Sequence, residues 1–460
     1  MLTVVAFFVA LGLLIAVHEY GHYRVAVACG VKVLRFSVGF GKPLLMWRSK
    51  ASGTEFVLGL FPLGGYVRML DEREAPVEPH ERHLAFNTQP LRSRAAIVAA
   101  GPMANLLLAV LLYSLVNWGG VQEPKAVLSS PVAGSIAQNA GLAGGELVLR
   151  AAMGEDDLAP MRSFEELRWV LTQGALDGQR VRLELEPSPG ASLREVTLDL
   201  STLNVRDADA QLFRKIGVFA PWTRPAIGEV MAGGAAERAG LRQGDLVRKI
   251  GQTSVVDGMQ LRELIRTSVR GDQDVMQLWQ VERAGQLVTL EVMPDVVQEP
   301  TGAVGRINAY VGGNPEMVEV QYGPLEGLLK GADRTWEVSA LTLRMMGRMV
   351  VGEASLKNLS GPLTIADYAG RSAEMGLMQY LAYLALISVS LGVLNLLPLP
   401  VLDGGHLMYY LWEGVTGKSV SDTWTEYLQR GGVAVLAVMM SIALFNDISR
   451  YLAKLLAVFA

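Results

Sequence analysis

Three residues near the start of the chain carry a chemistry of their own. His18, Glu19 and His22 form an HExxH motif inside the apolar run MLTVVAFFVALGLLIAVHEYGHYRVAVA. On a helix, positions i and i+4 share a face, so both imidazoles can reach one metal ion. Glu19, one step round from His18, can take a proton from metal-bound water. The whole chain has five histidines, so a chance HExxH is expected in fewer than about one such sequence in a hundred. The plainer reading, a satisfied pair of surface histidines, is weak in an apolar run, where two imidazoles and a carboxylate would all need partners. The pattern predicts a catalytic metal site in a membrane-spanning helix, and hydrolysis within the membrane.

Catalytic zinc usually has three protein ligands, with water in the fourth position. The best third candidate is Asp403, in the stretch NLLPLPVLDGGH that runs from Asn395 to His406. Pro398 and Pro400 supply no backbone donor and disfavour helical geometry before them, so they break the helix. Irregular backbone at membrane depth is tolerated where protein or water lines it, and such a break can turn a carboxylate toward a metal. Asn395 offers an amide to hold a substrate backbone or steady a developing oxyanion. Alternatively, Pro-x-Pro simply ends the span, Asp403 caps a helix and Asn395 packs between spans; the HExxH motif tips the balance toward Asp403 as ligand. His406 is the rival, as ligand or as partner of one. His80 and His83, in the polar loop EAPVEPHERHL, read as solvated. Histidine and aspartate ligands beside a general base favour zinc.

The rest of the chain must position these groups. Half of the 460 residues are hydrophobic and 19% are charged, against roughly a quarter charged in soluble domains. That balance suits a membrane protein with a substantial soluble part. The formal net charge of −4 implies no nucleic-acid partner. Cys29 is the only cysteine, which excludes an intramolecular disulfide. No Lys or Arg precedes Arg24, so the first apolar run is an uncleaved span rather than a secretory signal. Four spans are expected: the first within 1–30, then 94–117, 376–404 and, with a tail, 431–460. The stretch between the first two spans carries ten Lys and Arg from Lys32 to Arg94, nine of them within 31–93, which places it in the cytoplasm. The N-terminus, the long middle section and the C-terminus then lie outside.

Within that loop, VKVLRFSVGFGKPLLMW and TEFVLGLFPLGGYVRML read as strands broken by glycines, a β-ribbon beside the first span. Its edge around Gly39 and Gly41 could pair with an unwound substrate backbone; a purely structural hairpin explains it equally well. The middle section repeats itself. Ala140-Gly141-Leu142 to Val148 aligns without a gap with Ala239-Gly240-Leu241 to Val247, each copy followed by a helical stretch and alternating strands. Two copies about a hundred residues apart suggest tandem domains. Their AGLxxGDxV pattern resembles PDZ domains, which bind extended peptides by strand addition. Next, GPLEGLLKGADRTWEVSALTLRMMGRMVVG has helical periodicity with apolar and basic residues interleaved, as a helix at the outer membrane surface would.

HExxH in the first span, FSVGFG after it, AGPMAN in the second, NLLPLPVLDGGH at the third and PDZ-like repeats between resemble the site-2 protease family of intramembrane zinc metalloproteases. The resemblance covers essentially the whole chain. It implies an α-helical polytopic membrane protein with about four transmembrane helices, a membrane-associated β-ribbon and two tandem α+β PDZ domains, at 118–220 and 221–300. A linker at 301–375 would hold the amphipathic helix, and 405–430 would be a cytoplasmic loop. The resemblance implies that His18, His22 and Asp403 bind Zn2+, that Glu19 is the general base, and that Asn395, Pro398 and Pro400 shape the substrate site. The implied substrate is a single-span membrane protein already trimmed on its outer side: an anti-sigma factor of the envelope stress response, or a remnant signal peptide. The PDZ tandem would act as a size filter, in a bacterial inner membrane with the PDZ domains periplasmic and the active site near the cytoplasmic side. A non-catalytic PDZ adaptor is disfavoured by the intact HExxH. A metal transporter is a poor match to PDZ domains and a single HExxH.

Overall fold

Apolar residues on every face make a helix that water cannot cover, and this chain has several. In a computed structural model, residues 2–50, 52–203, 210–218, 220–269, 275–299, 302–352 and 361–459 are described. The chain divides into two units, Met1–Val121 with Gln321–Ala460, and Gln122–Val320.

The first unit contains α1 (Leu2–Ala28), α2 (Leu91–Gly119), α3 (Pro324–Val350), α4 (Pro362–Met375), α5 (Leu377–Asn395), α6 (Asp403–Thr416) and α7 (Asp422–Phe459). Four are long and apolar enough to cross a membrane: α1, α2, α5 and the Thr423–Arg450 part of α7. Their outward side chains include Val5, Phe8, Val9, Leu107, Leu111 and Phe445, all exposed, a surface suited to lipid rather than water. α2 packs against α1, α3 and α5. Without a hydrophobic drive between helices in lipid, close approach of small residues holds such bundles. At the α1–α2 crossing, Gly21 leaves no room for a Cβ, which would collide with the Ala100 carbonyl oxygen. α5 stops at Asn395, and 396–402 carries the chain without helix to α6, which starts at Asp403. The proline pair therefore falls in a connection, and the aspartate opens a new helix.

Strands β1 (Val33–Arg48) and β2 (Glu55–Met69) form an antiparallel two-stranded ribbon with several register shifts. Gly39 and Gly41 sit in β1 with φ of +89° and +87°, a left-handed backbone that glycine adopts without steric penalty. Phe40, Leu44, Leu45, Met46, Trp47 and Phe61 of the ribbon are exposed.

The second unit holds both copies of the repeat. Each copy has a four-stranded antiparallel sheet of the same strand order. The first sheet runs Ala159–Pro160, Leu147–Met153, Arg180–Glu186, Arg194–Asp199; the second runs Thr253–Ser254, Leu246–Ile250, Gln277–Arg283, Gln286–Val292. The helix in each, Phe164–Leu176 and Gly258–Arg266, follows the first-named strand and is capped from its own sequence. The Ser163 hydroxyl accepts the Glu166 N–H, and the Asp257 carboxylate accepts the Gln260 N–H. Separate cores lie beneath the sheets, around Phe164, Leu171 and Leu183 in one and Leu261, Trp279 and Val281 in the other. The second copy draws in chain beyond residue 300: Ala309–Val311 pairs with Ile227–Val230. Each acidic residue of the repeated loop braces it. Glu146 accepts the N–H groups of Ala143 and Gly144, both at 2.7 Å. Asp245 accepts from the Arg242 N–H and forms a two-pronged pair with Arg283.

Candidate metal centre

Helical spacing sets the first two donors. His18 and His22 lie one turn apart on α1, with ring centroids 4.8 Å apart and planes nearly perpendicular. Their Nε2 atoms are 3.2 Å apart. Asp403, the first residue of α6, places Oδ2 3.2 Å from His18 Nε2 and 3.6 Å from His22 Nε2. Corners of a tetrahedron with metal bonds of 2.0–2.1 Å stand about 3.3–3.4 Å apart. Two nitrogens and one oxygen thus already hold the spacing of three zinc ligands, and they form a group of metal-binding type.

The hydrogen bonding points the same way. His22 Nδ1 lies 2.8 Å from the Ile97 carbonyl oxygen. A carbonyl only accepts, so Nδ1 carries the proton and the neutral ring turns a lone pair outward at Nε2. That lone pair faces the Asp403 carboxylate, another acceptor. Only a cation between them, a proton or a metal ion, makes the arrangement favourable. Pro102, inside α2, cannot donate to the Val98 carbonyl one turn below and so disturbs the helix ladder next to Ile97.

Three local features deliver the carboxylate and the rings. Asp403 sits at a helix N-terminus, where the unpaired N–H groups favour negative charge. A Cβ on Gly404 would collide with the Leu397 carbonyl oxygen, so the 396–402 connection lies directly over the first turn of α6. A Cβ on Gly101 would collide with His22 Nε2 and lie 2.8 Å from His18 Cε1. Gly101 is therefore the floor beneath both imidazoles.

A cavity of about 340 Å³ opens on the three donors and on Glu19, with Asp71, Arg73 and Glu74 also in its wall. Arg73 is tied to Asp71 by paired bonds of 2.9 and 2.6 Å. The ribbon reaches the site at Gly65, where a Cβ would come 2.8 Å from Glu19 Cγ.

The other expected site residues lie elsewhere. Asn395 ends α5, Pro398 and Pro400 stand in the connection, and Gly39 and Gly41 lie on β1; none lines this cavity. His406 lies on α6 edge-on to Tyr409, 5.9 Å between ring centroids, and is not in the three-donor group. His80 and His83 are not in it either. Sequence reasoning passed over Gly101, the Ile97 carbonyl and Asn105, whose amide lies 3.3 Å from His18 Nδ1. The available signal was AGPMAN itself, a Gly-Pro pair and a polar amide in the middle of an apolar span.

The profile of Peptidase family M50 matches residues 6–439. A candidate zinc metalloprotease of Ralstonia nicotianae, RSc1411, is 41% identical over 98% of this chain and 99% of its own. The regulator of sigma-E protease RseP of Escherichia coli K12 is 39% identical over 97% of this chain and 98% of its own. The protease RseP of Yersinia pestis matches at the same identity and coverage.

Proposed function

The chain belongs to peptidase family M50, the site-2 proteases, and on that premise we propose how its own residues carry the activity. It is a zinc metalloprotease of the site-2 type. His18, His22 and Asp403 hold the zinc, and the observation that carries this reading is the near-tetrahedral spacing of their three donor atoms. Bound zinc lowers the pKa of a water toward about 7 and polarises a peptide carbonyl. Glu19, in the same cavity, takes the proton from the attacking water and returns it to the leaving amine. The Ile97 carbonyl fixes the His22 tautomer, and Gly101 keeps both rings seated.

The substrate is a single-span membrane protein already trimmed on its outer side. With relatives named as regulators of sigma-E, an anti-sigma factor of the envelope stress response is the foremost case, and remnant signal peptides form a second. The chain spans the bacterial inner membrane with α1, α2, α5 and α7, its catalytic end toward the cytoplasm and the repeat unit in the periplasm. The repeats are PDZ domains that hold back untrimmed substrates; their matching strand order and capped helices support this. A helical substrate hides its peptide bonds, so it must unwind. The β-ribbon, which touches Glu19 at Gly65, receives the extended form by strand addition. Asn395, Pro398 and Pro400 shape the substrate path from the connection that leads into Asp403.

Co-expression with candidate single-span substrates, comparing wild type with Glu19→Gln, tests the proposal. Cleavage by the wild type alone supports it. Equal processing by both would leave an adaptor as the better account, and metal flux into vesicles would favour a transporter.

A further inference from the structure

We propose that Asn105, on α2, is a positioning residue for His18: its side-chain carbonyl accepts the His18 Nδ1–H and so holds the ring in the tautomer that presents Nε2 to the metal. The proposal rests on His18 being a ligand.

Asn105 is completely buried in a helix of apolar residues. As placed, its Nδ2 faces His18 Nδ1 at 3.3 Å, and among the described residues Oδ1 has no hydrogen-bond partner. A buried amide with half its capacity unmet is unfavourable, and a leucine would fill such a place better. The residue makes sense through the bond it does form.

The direction of that bond follows from the metal site. A neutral imidazole has one donor and one acceptor nitrogen. If the Asn105 N–H donated to His18 Nδ1, the ring proton would sit on Nε2, the atom that faces His22 Nε2 and Asp403 Oδ2. That tautomer cannot bind a metal there. The two ends of an asparagine amide are nearly isosteric. Half a turn brings Oδ1 to the ring and gives His18 the pattern His22 already has with the Ile97 carbonyl. One ligand is thus oriented by a backbone acceptor and the other by a side-chain acceptor, both from α2. Ser388 on α5 donates to the Asn105 backbone carbonyl at 2.7 Å and fastens this turn of α2.

The test is the zinc affinity of the purified full-length protein, measured by competition with a chromophoric chelator. Asn105→Leu keeps the bulk and removes the acceptor, and is expected to weaken zinc binding about 10- to 100-fold, the usual consequence of losing such a partner. Asn105→Asp keeps an acceptor oxygen and is expected to stay within about threefold of wild type. A residue that merely packs would behave the other way round, with the leucine neutral and the buried carboxylate disruptive; that result overturns the proposal. Should the leucine variant fail to fold, Asn105→Ala removes the same acceptor without adding bulk and is read against the same expectation. His18→Ala separates the two levels. If it retains zinc affinity, the ligand reading fails; if it loses zinc while Asn105→Leu does not, only the positioning role fails.

Discussion

Two carboxylates of the helical unit, Asp403 and Asp447, occupy opposite situations. Asp447, on α7, is fully buried, and the N-terminus of α4 saturates it. Its oxygens accept from the backbone N–H groups of Gly361, Leu363 and Thr364 at 3.0–3.1 Å and from the Thr364 hydroxyl. Those N–H groups are the ones a helix start cannot satisfy internally, so Asp447 caps α4 from another helix and fastens the two together. Asp403 also stands at a helix start, but at the head of its own, and its carboxylate meets two imidazole nitrogens at the edge of a cavity. In the metal-binding tautomer those nitrogens are acceptors like itself. One carboxylate has completed hydrogen bonds and does mechanical work. The other faces like partners and needs a cation. What separates chemistry from architecture here is which valences the surroundings leave open.

Substitutions should split along that line. Asp403→Ala should abolish cleavage of a single-span substrate, measured by accumulation of the uncut form, while the unfolding temperature in detergent changes little. Glu19→Gln should lower cleavage by about 10²–10⁴-fold, the range for losing a general base, with zinc content unchanged by elemental analysis. Gly101→Ala should weaken zinc binding about tenfold or more, because the added methyl displaces the imidazoles. Asp447→Leu should do the reverse of Asp403→Ala: it leaves three backbone N–H groups unpaired and should cost about 2–4 kcal/mol of stability, read as a lower unfolding temperature with zinc affinity kept. If Asp447→Leu released zinc, the contrast between the two carboxylates would fail.

The smallest effect belongs to the repeat unit. Burial would raise the Asp245 carboxyl, but the Arg283 guanidinium and the Arg242 N–H outweigh it and hold it below the usual carboxylate range. A depressed folded value contributes stability above the unfolded value of 3.8, and that stability fades as pH falls below it. Arg283→Met should therefore lower the stability of this unit by about 1–2 kcal/mol at neutral pH and by less in strong acid, where only the bond to the Gly240 carbonyl is still lost, followed by tryptophan fluorescence.

Much of this was legible in the sequence, for reasons that vary by residue. Helical periodicity alone puts His18 and His22 on one face. The proline pair signals a break in the third span, but the expected span runs to residue 404 with a loop after it, whereas α5 ends at Asn395 and Asp403 opens α6. The repeat showed because its loop demands Ala-Gly-Leu and an acid at fixed spacing. Its true extent did not show, since Ala309–Val311 joins the second copy through pairing with Ile227–Val230 some eighty residues earlier. Gly101 was hidden because it contributes an absence, the missing Cβ beneath two rings. Asp447 was hidden because its partners lie 83 to 86 residues away and nothing around it announces a helix start. Gly39 and Gly41, expected at an edge that pairs with substrate, serve the ribbon through their left-handed backbone and do not line the cavity.

The central claim is that two helical imidazoles and the carboxylate opening α6 together hold one zinc ion. The direct measurement is zinc stoichiometry by mass spectrometry of the purified full-length chain after dialysis against a weak chelator. One zinc per chain is expected for wild type, Glu19→Gln and Asp447→Asn, and essentially none for His18→Ala, His22→Ala or Asp403→Ala. Retention of a full zinc equivalent by Asp403→Ala would contradict the account.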